Sequence, residues 1–179
     1  MASASDVQRL RAETNAGVMD SKKALEAANG DFEKAKAILK EKGLASAAKR
    51  GDREAREGVV EAYIHSGGRI GALVELSSET DFVARNPEFR DLAKAIAMQV
   101  AAMSTKHVAW ELLTDHEIKA LLEEHGDEKT AKAAAVLMHQ PYIKDQSKTI
   151  GDLVTQLAVS TGENIRVRRI ALFRLGEGA

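Results

Sequence analysis

At 179 residues, 44% of them apolar, the chain is long enough to bury the core of one domain, or of one domain with a small satellite. Its 26 Lys and Arg against 27 Asp and Glu leave a formal net charge of -1, so no global field draws it to nucleic acid or to an anionic membrane. The lack of cysteine excludes disulfides and thiol chemistry. No apolar run approaches the roughly 20 residues of a membrane span, and Met1 to Leu10 is too polar for a signal peptide, so a soluble cytoplasmic protein is expected.

Ser5 or Asp6 caps a first helix carrying Val7, Leu10 and Arg11, which ends near the turn formers Thr14 to Gly17. A second helix runs from about Val18 to Asn29 with Met19, Ala24, Leu25 and Ala28 inward; Gly30 stops it and Asp31 caps the next. The third, Phe32 to Lys42, sets Phe32, Ala35, Ile38 and Leu39 on one stripe and ends at Gly43. Residues 1–45 therefore read as a three-helix bundle whose small core is marginal alone. The Ala-rich, charged stretch Leu44 to Glu57 reads as a tether, with 46–57 as the linker proper. Phosphate contact by its Lys49, Arg50, Arg53 and Arg56 is the weaker reading, because Asp52, Glu54 and Glu57 interleave with them.

Residues 58–179 read as an α+β domain. Val59 to His65 and Arg69 to Ser77 form a hairpin through Ser66-Gly67-Gly68, with Ile70, Ala72, Val74 and Leu76 alternating inward. A polar loop through Thr80, Asp81, Phe82 and Val83 follows, then Asn86 and Pro87 as cap and first residue of a helix whose stripe is Phe89, Leu92, Ala93, Ile96, Val100 and Met103. Phe82 is either a core plug or a presented side chain, and composition does not choose. Thr114 and Asp115 open a helix closed by Gly126, Asp127 opens another, and the two make a helical hairpin. Gln140-Pro141-Tyr142 is an extended break. Ser147 or Thr149 caps a helix with Ile150, Leu153, Leu157 and Ala158 that stops near Gly162. A last strand puts Ile165, Val167, Ala171, Phe173 and Leu175 on one face and Arg166, Arg168 and Arg174 on the other. The fold class is α+β: a helical bundle, then a small antiparallel sheet packed against helices.

No catalytic constellation is present. Gly67-Gly68-Arg69-Ile70-Gly71 lacks the strand-to-helix context of a phosphate loop. His65, His107, His116, His125 and His139 contain no i,i+4 pair, so no metal site is expected. Glu79 and Asp81 read as solvated loop acids, and Ser77 and Ser78 have no histidine base nearby in sequence. The expectation is a protein that is not an enzyme and uses no cofactor.

Three stretches together resemble the elongation factor Ts family: Leu10-Arg11-Ala12-Glu13-Thr14-Asn15-Ala16-Gly17-Val18-Met19-Asp20-Ser21-Lys22-Lys23-Ala24-Leu25, then Glu75 to Asn86 around Thr80-Asp81-Phe82-Val83, then Gly162-Glu163-Asn164-Ile165-Arg166-Val167-Arg168-Arg169; Gln140-Pro141-Tyr142-Ile143 adds a lesser match. The resemblance implies a ubiquitin-associated-like bundle followed by an α+β dimerisation domain. It implies a guanine-nucleotide exchange factor for GDP-bound elongation factor Tu, which displaces magnesium and promotes exchange for GTP. Leu10, Val18 and Met19 would face the GTPase, and Thr80, Asp81, Phe82 and Val83 would enter near its magnesium site. Many relatives carry cysteine where this chain has Ser21 and Ser78, so a homodimer would form without a disulfide. The chain carries one α+β unit where the longest relatives have two, and symmetry would supply the second half. The alternative is a module binding RNA or a ubiquitin-like partner through the bundle or through Arg166, Arg168 and Arg169; direct nucleic-acid binding is not expected, because exposed aromatics beside the basic residues are lacking.

Overall fold

The computed structural model describes residues 3–14 and 16–177. They form two compact units: the first runs to Asp52 and includes Ala158–Glu163, and the second comprises Arg53–Leu157 and the residues from Asn164 onward.

In the first unit, α1 (Ala4–Thr14), α2 (Val18–Ala27) and α3 (Phe32–Arg50) surround a core of Val7, Leu10, Ala24, Leu25, Ala28, Ala35 and Leu39, with Ala16 and Phe32 packed against it. Helices as short as α1 and α2 do not persist alone in water, so this shared apolar stripe holds them. Between α2 and α3 the chain turns through two left-handed residues, Asn29 at φ 53 and Gly30 at φ 85. The Gly30 N–H donates to the Leu25 carbonyl at 2.8 Å, and Asp31 then accepts from the Lys34 N–H at 3.1 Å to start α3. Asn15, in the expected turn after α1, lies outside the described residues.

Ser5 and Asp6, expected as the cap, lie inside α1, where the Asp6 N–H donates to the Ser3 hydroxyl at 3.1 Å, and Ile38, expected on the inward stripe of α3, is exposed. Two larger expectations also fail in this unit. The third helix does not stop at Gly43 but continues to Arg50, through the first part of the expected tether. Alanine, lysine and leucine are strong helix formers, and Gly43 serves packing: a Cβ there would stand 2.7 Å from Val159 Cγ1. The helix end is held by Arg50, whose guanidinium donates to Ser46 Oγ at 2.7 Å and to the Ala158 carbonyl at 3.2 Å. Met19, expected inward, is exposed instead. The buried stripe of α2 is Ser21, Ala24, Leu25 and Ala28, spaced by three and four residues, and Met19 lies off it.

The second unit contains, in chain order, β1 (Glu57–Ile64), β2 (Ile70–Ser78), α4 (Asp81–Ala84), α5 (Pro87–Met103), α6 (Asp115–His125), α7 (Glu128–Ala135), β3 (Pro141–Tyr142), β4 (Asp145–Thr149), the start of α8 (Ile150–Thr161) and β5 (Arg166–Arg174). The main sheet is antiparallel in the order β1-β2-β5, so the hairpin's second strand is central. Gly67 and Gly68, both at positive φ, make the turn between β1 and β2. Ala72, Val74 and Leu76 are buried from β2, as the alternation predicts. Helix α5 lies against all three strands and buries Phe89, Leu92, Ala93, Ile96 and Val100; Met103, at its last turn, is exposed.

The face assignment for β5 is overturned in its second half. A bulge shifts the register between Glu75 and Leu76, which pair with Arg169 and Val167 and leave Arg168 as the extra residue. One added residue turns every later side chain to the opposite face. Val167 is therefore buried while Phe173 is 65% exposed, beside Leu73 and across from Gly71 on the outer side of the sheet.

Helices α6 and α7 form the expected hairpin, each with a side-chain cap at its start: Thr114 with Glu117, and Asp127. The sequence reading missed the small β3-β4 hairpin. It is anchored by buried amides: Gln99 Nε2 donates to Gln140 Oε1 at 3.2 Å and to the Pro141 carbonyl at 3.1 Å, the Thr105 hydroxyl donates to Gln140 Oε1 at 2.9 Å, and Gln99 Oε1 accepts from the Ile143 N–H at 2.9 Å. Every buried amide in that group has a partner, so the network specifies how Gln140-Pro141-Tyr142 seats on α5. Among the described residues no helix is long and apolar enough to cross a membrane.

Candidate partner-binding site

The stretch that follows β2 is a helical turn, not an irregular loop. Thr80, in extended backbone at φ -125, ψ 156, accepts the Val83 N–H on its hydroxyl at 3.4 Å and starts α4. Asp81 sits in the first turn and pairs with Arg85 one turn on, at 2.9 Å. Ala84 is the only buried residue of α4, so it faces the body of the unit, and Phe82 points away and is 81% exposed. The core-plug reading of Phe82 is thereby excluded. Val83 is half-buried, while Thr80 stands exposed beside the aromatic.

A single exposed helical turn needs support from below. Ser78, fully buried, donates its hydroxyl to the Thr80 carbonyl at 3.0 Å. Glu79 is not the solvated acid that its loop position suggested. One carboxylate oxygen accepts the Asn164 N–H at 2.7 Å, and the other lies 3.5 Å from the Arg53 guanidinium. The Asn164 side-chain amide in turn donates to the Arg53 carbonyl at 2.6 Å. Sequence reasoning missed this group, because its members lie 26 to 111 positions apart and none carries a local signature; the one available hint was that Glu79 and Asn164 fall in two of the stretches that stood out together.

At the start of α2 the picture is mixed. Gly17 occupies the N-cap position without a side-chain cap, and Val18 and Met19 project from the first turn, 56% and 62% exposed. Lys42 ties α3 to this turn through Asp20 at 2.6 Å. Leu10 has no exposed surface: it is the centre of the bundle core and presents nothing to a partner, which corrects its assignment as a contact residue. Its place in a distinctive run reflects packing, since the buried stripe of α1 is Val7 and Leu10.

The outer face of the sheet carries Val60, Ala62 and Ile64 from β1, Leu73 from β2, and Ala171 and Phe173 from β5, with one charged pair, Arg169 to Glu75, at 2.6 Å. Val60, Ile64, Leu73 and Phe173 are all exposed. The described residues contain no group of three or more His, Asp or Glu placed to hold a metal ion.

The family model described as Elongation factor TS matches residues 3–128 and 79–179. Relatives named elongation factor Ts are similar over nearly the whole chain. That of Moorella thermoacetica is 46% identical over 197 residues, covering 99% of this chain and 97% of its own. That of Carboxydothermus hydrogenoformans is 48% identical, with 96% and 88% covered. The chloroplastic elongation factor Ts of Guillardia theta is 47% identical, with 98% and 90% covered.

Proposed function

The chain belongs to the elongation factor Ts family of translation factors, and from that premise we propose that it is a guanine-nucleotide exchange factor acting on GDP-bound elongation factor Tu in the cytoplasm. The observation that carries this reading is Phe82, 81% exposed on a turn braced from beneath. An apolar side chain held in water by rigid backbone is ready for burial in a partner, with little ordering left to be done on binding.

Exchange needs no bond chemistry. A factor that binds the GTPase and weakens its hold on GDP must, by linkage, be weakened by GDP to the same degree. Magnesium bridges the nucleotide phosphates to the GTPase, so shifting the groups that hold it removes a large electrostatic contribution to nucleotide affinity. Phe82, buried against the GTPase, supplies about 2 kcal/mol to drive that shift. Thr80 and Asp81 keep the turn helical, and Val83 packs at its base. Val18 and Met19 form the second contact, from the bundle to the nucleotide-binding domain, with Leu10 supporting them from the core.

The same reading gives the outer sheet face an occupant, a second copy of the chain. The face is apolar, its one charged pair is internally matched, and without cysteine the dimer rests on burial alone. Phe173→Asp places a charge in the middle of that face, and sedimentation at micromolar concentration is expected to show a monomer for the variant and a dimer for the parent. The function itself is tested by release of fluorescent GDP from a bacterial elongation factor Tu. The parent chain accelerates release under this reading, and no acceleration would overturn it.

A further inference from the structure

The turn that carries Phe82 is too short to hold itself. Helix α4 has four residues, far below the length at which a helix persists in water, and it buries only Ala84. Its capping bond from Val83 to Thr80 is long at 3.4 Å. The support comes from residues outside it, and strand register shows where they meet. Glu57 pairs with Ser78 and Arg166 with Ser77, so the segment before β1, the segment before β5 and the segment after β2 all reach the same end of the sheet. Arg53, Asn164 and Glu79 are the residues that join them.

We propose that Glu79, with Asn164 and Arg53, is a positioning group that sets the angle at which Phe82 is presented; this rests on the exchange-factor reading above. The Glu79 carboxylate is the hub. Its bond from the Asn164 N–H, at 2.7 Å, lies in the range of charge-assisted hydrogen bonds, and its second oxygen faces Arg53 at 3.5 Å. Asn164, itself buried, closes the triangle through its 2.6 Å bond to the Arg53 carbonyl. Glu79 immediately precedes the Thr80 cap, so any rotation of its backbone is passed to the first turn of α4 and swings Phe82. In this proposal the group acts only through the aromatic.

The test has two readouts. Amide hydrogen exchange on the chain alone, with no partner present, is expected to show about tenfold faster exchange at Val83 to Asn86 in Glu79→Ala, with the rest of the sheet unchanged. Stimulated GDP release is expected to fall by about tenfold in Glu79→Ala and to recover largely in Glu79→Gln, which keeps an acceptor for the Asn164 N–H. The double variant Glu79→Ala/Phe82→Ala is expected to release GDP no more slowly than Phe82→Ala alone, because a positioning residue has nothing left to position. If Glu79→Ala does not fold, Glu79→Asp, one methylene shorter, withdraws the carboxylate from Asn164 and is expected to give the same pattern in weaker form. Unchanged protection of α4, or a fully additive double variant, would overturn the inference. Failure of the parent chain to accelerate release would instead overturn the exchange-factor reading and leave the hydrogen-exchange result to judge the brace.

Discussion

Phe82 and Phe89 stand seven residues apart on consecutive helices and meet opposite environments. Phe89 is wholly buried under α5, a helix started by the Asn86 cap and Pro87 and held by an apolar stripe against three strands. Phe82 sits on one turn that contributes almost nothing to the core and is held by polar groups beneath it. The difference separates two uses of the same side chain. Where an aromatic stabilises the fold, its own burial fixes the backbone; where it awaits a partner, other residues must fix the backbone for it.

Removing each ring is expected to damage a different property. Phe89→Ala leaves a cavity in the centre of the second unit and is expected to cost about 3–5 kcal/mol of stability by urea denaturation, so its effect on exchange follows from unfolding. Phe82→Ala empties no cavity and is expected to change stability by no more than about 0.5 kcal/mol in the same experiment.

Acid sharpens the contrast further, with the smallest effect. The cap of α5 is the uncharged amide of Asn86, whereas a carboxylate takes part in the caps of α6 and α7, Glu117 beside the Thr114 hydroxyl and Asp127 by itself. Glu117 is held below its ordinary value of 4.5 by the Thr114 N–H and hydroxyl, and Asp127 below 3.8 by the Thr130 hydroxyl and N–H. Because both are lowered by folding, their stabilisation is complete above the ordinary carboxylate range and is lost as pH falls through the lowered values. Amide exchange at Thr114 and Thr130, whose N–H groups donate to these two carboxylates, is therefore expected to quicken as pH drops below about 4, beyond the intrinsic pH trend, while the first turn of α5 keeps its protection.

Much of this architecture was legible from residue order, and the failures share a cause. Local signals located the hairpin at Gly67-Gly68, the Asn86-Pro87 helix start, and the Thr114 and Asp127 caps, each of which depends on neighbours within a few residues. What was missed depends on distant contacts. Gly43 resembles a helix stop until Val159 occupies the space a Cβ would need. Arg168 resembles one step of an alternating strand until the register with β2 makes it a bulge. Leu10 and Met19 were both expected to face the GTPase, and Met19 also read as inward from its helix. Leu10 went to the core and Met19 to the surface, because a helix of ten or eleven residues has too few apolar positions to define its inward face alone. Glu79 could be recognised as more than a solvated acid only once Asn164, 85 positions later, stood 2.7 Å away.

Phe82 is held in the open, ready for a partner. The most direct test is stimulated release of fluorescent GDP from elongation factor Tu by Phe82→Ala, with its fold verified by the denaturation midpoint. A loss of about 30-fold in stimulation, the equivalent of roughly 2 kcal/mol, is expected at near-parental stability. Full stimulation by a folded Phe82→Ala would contradict it.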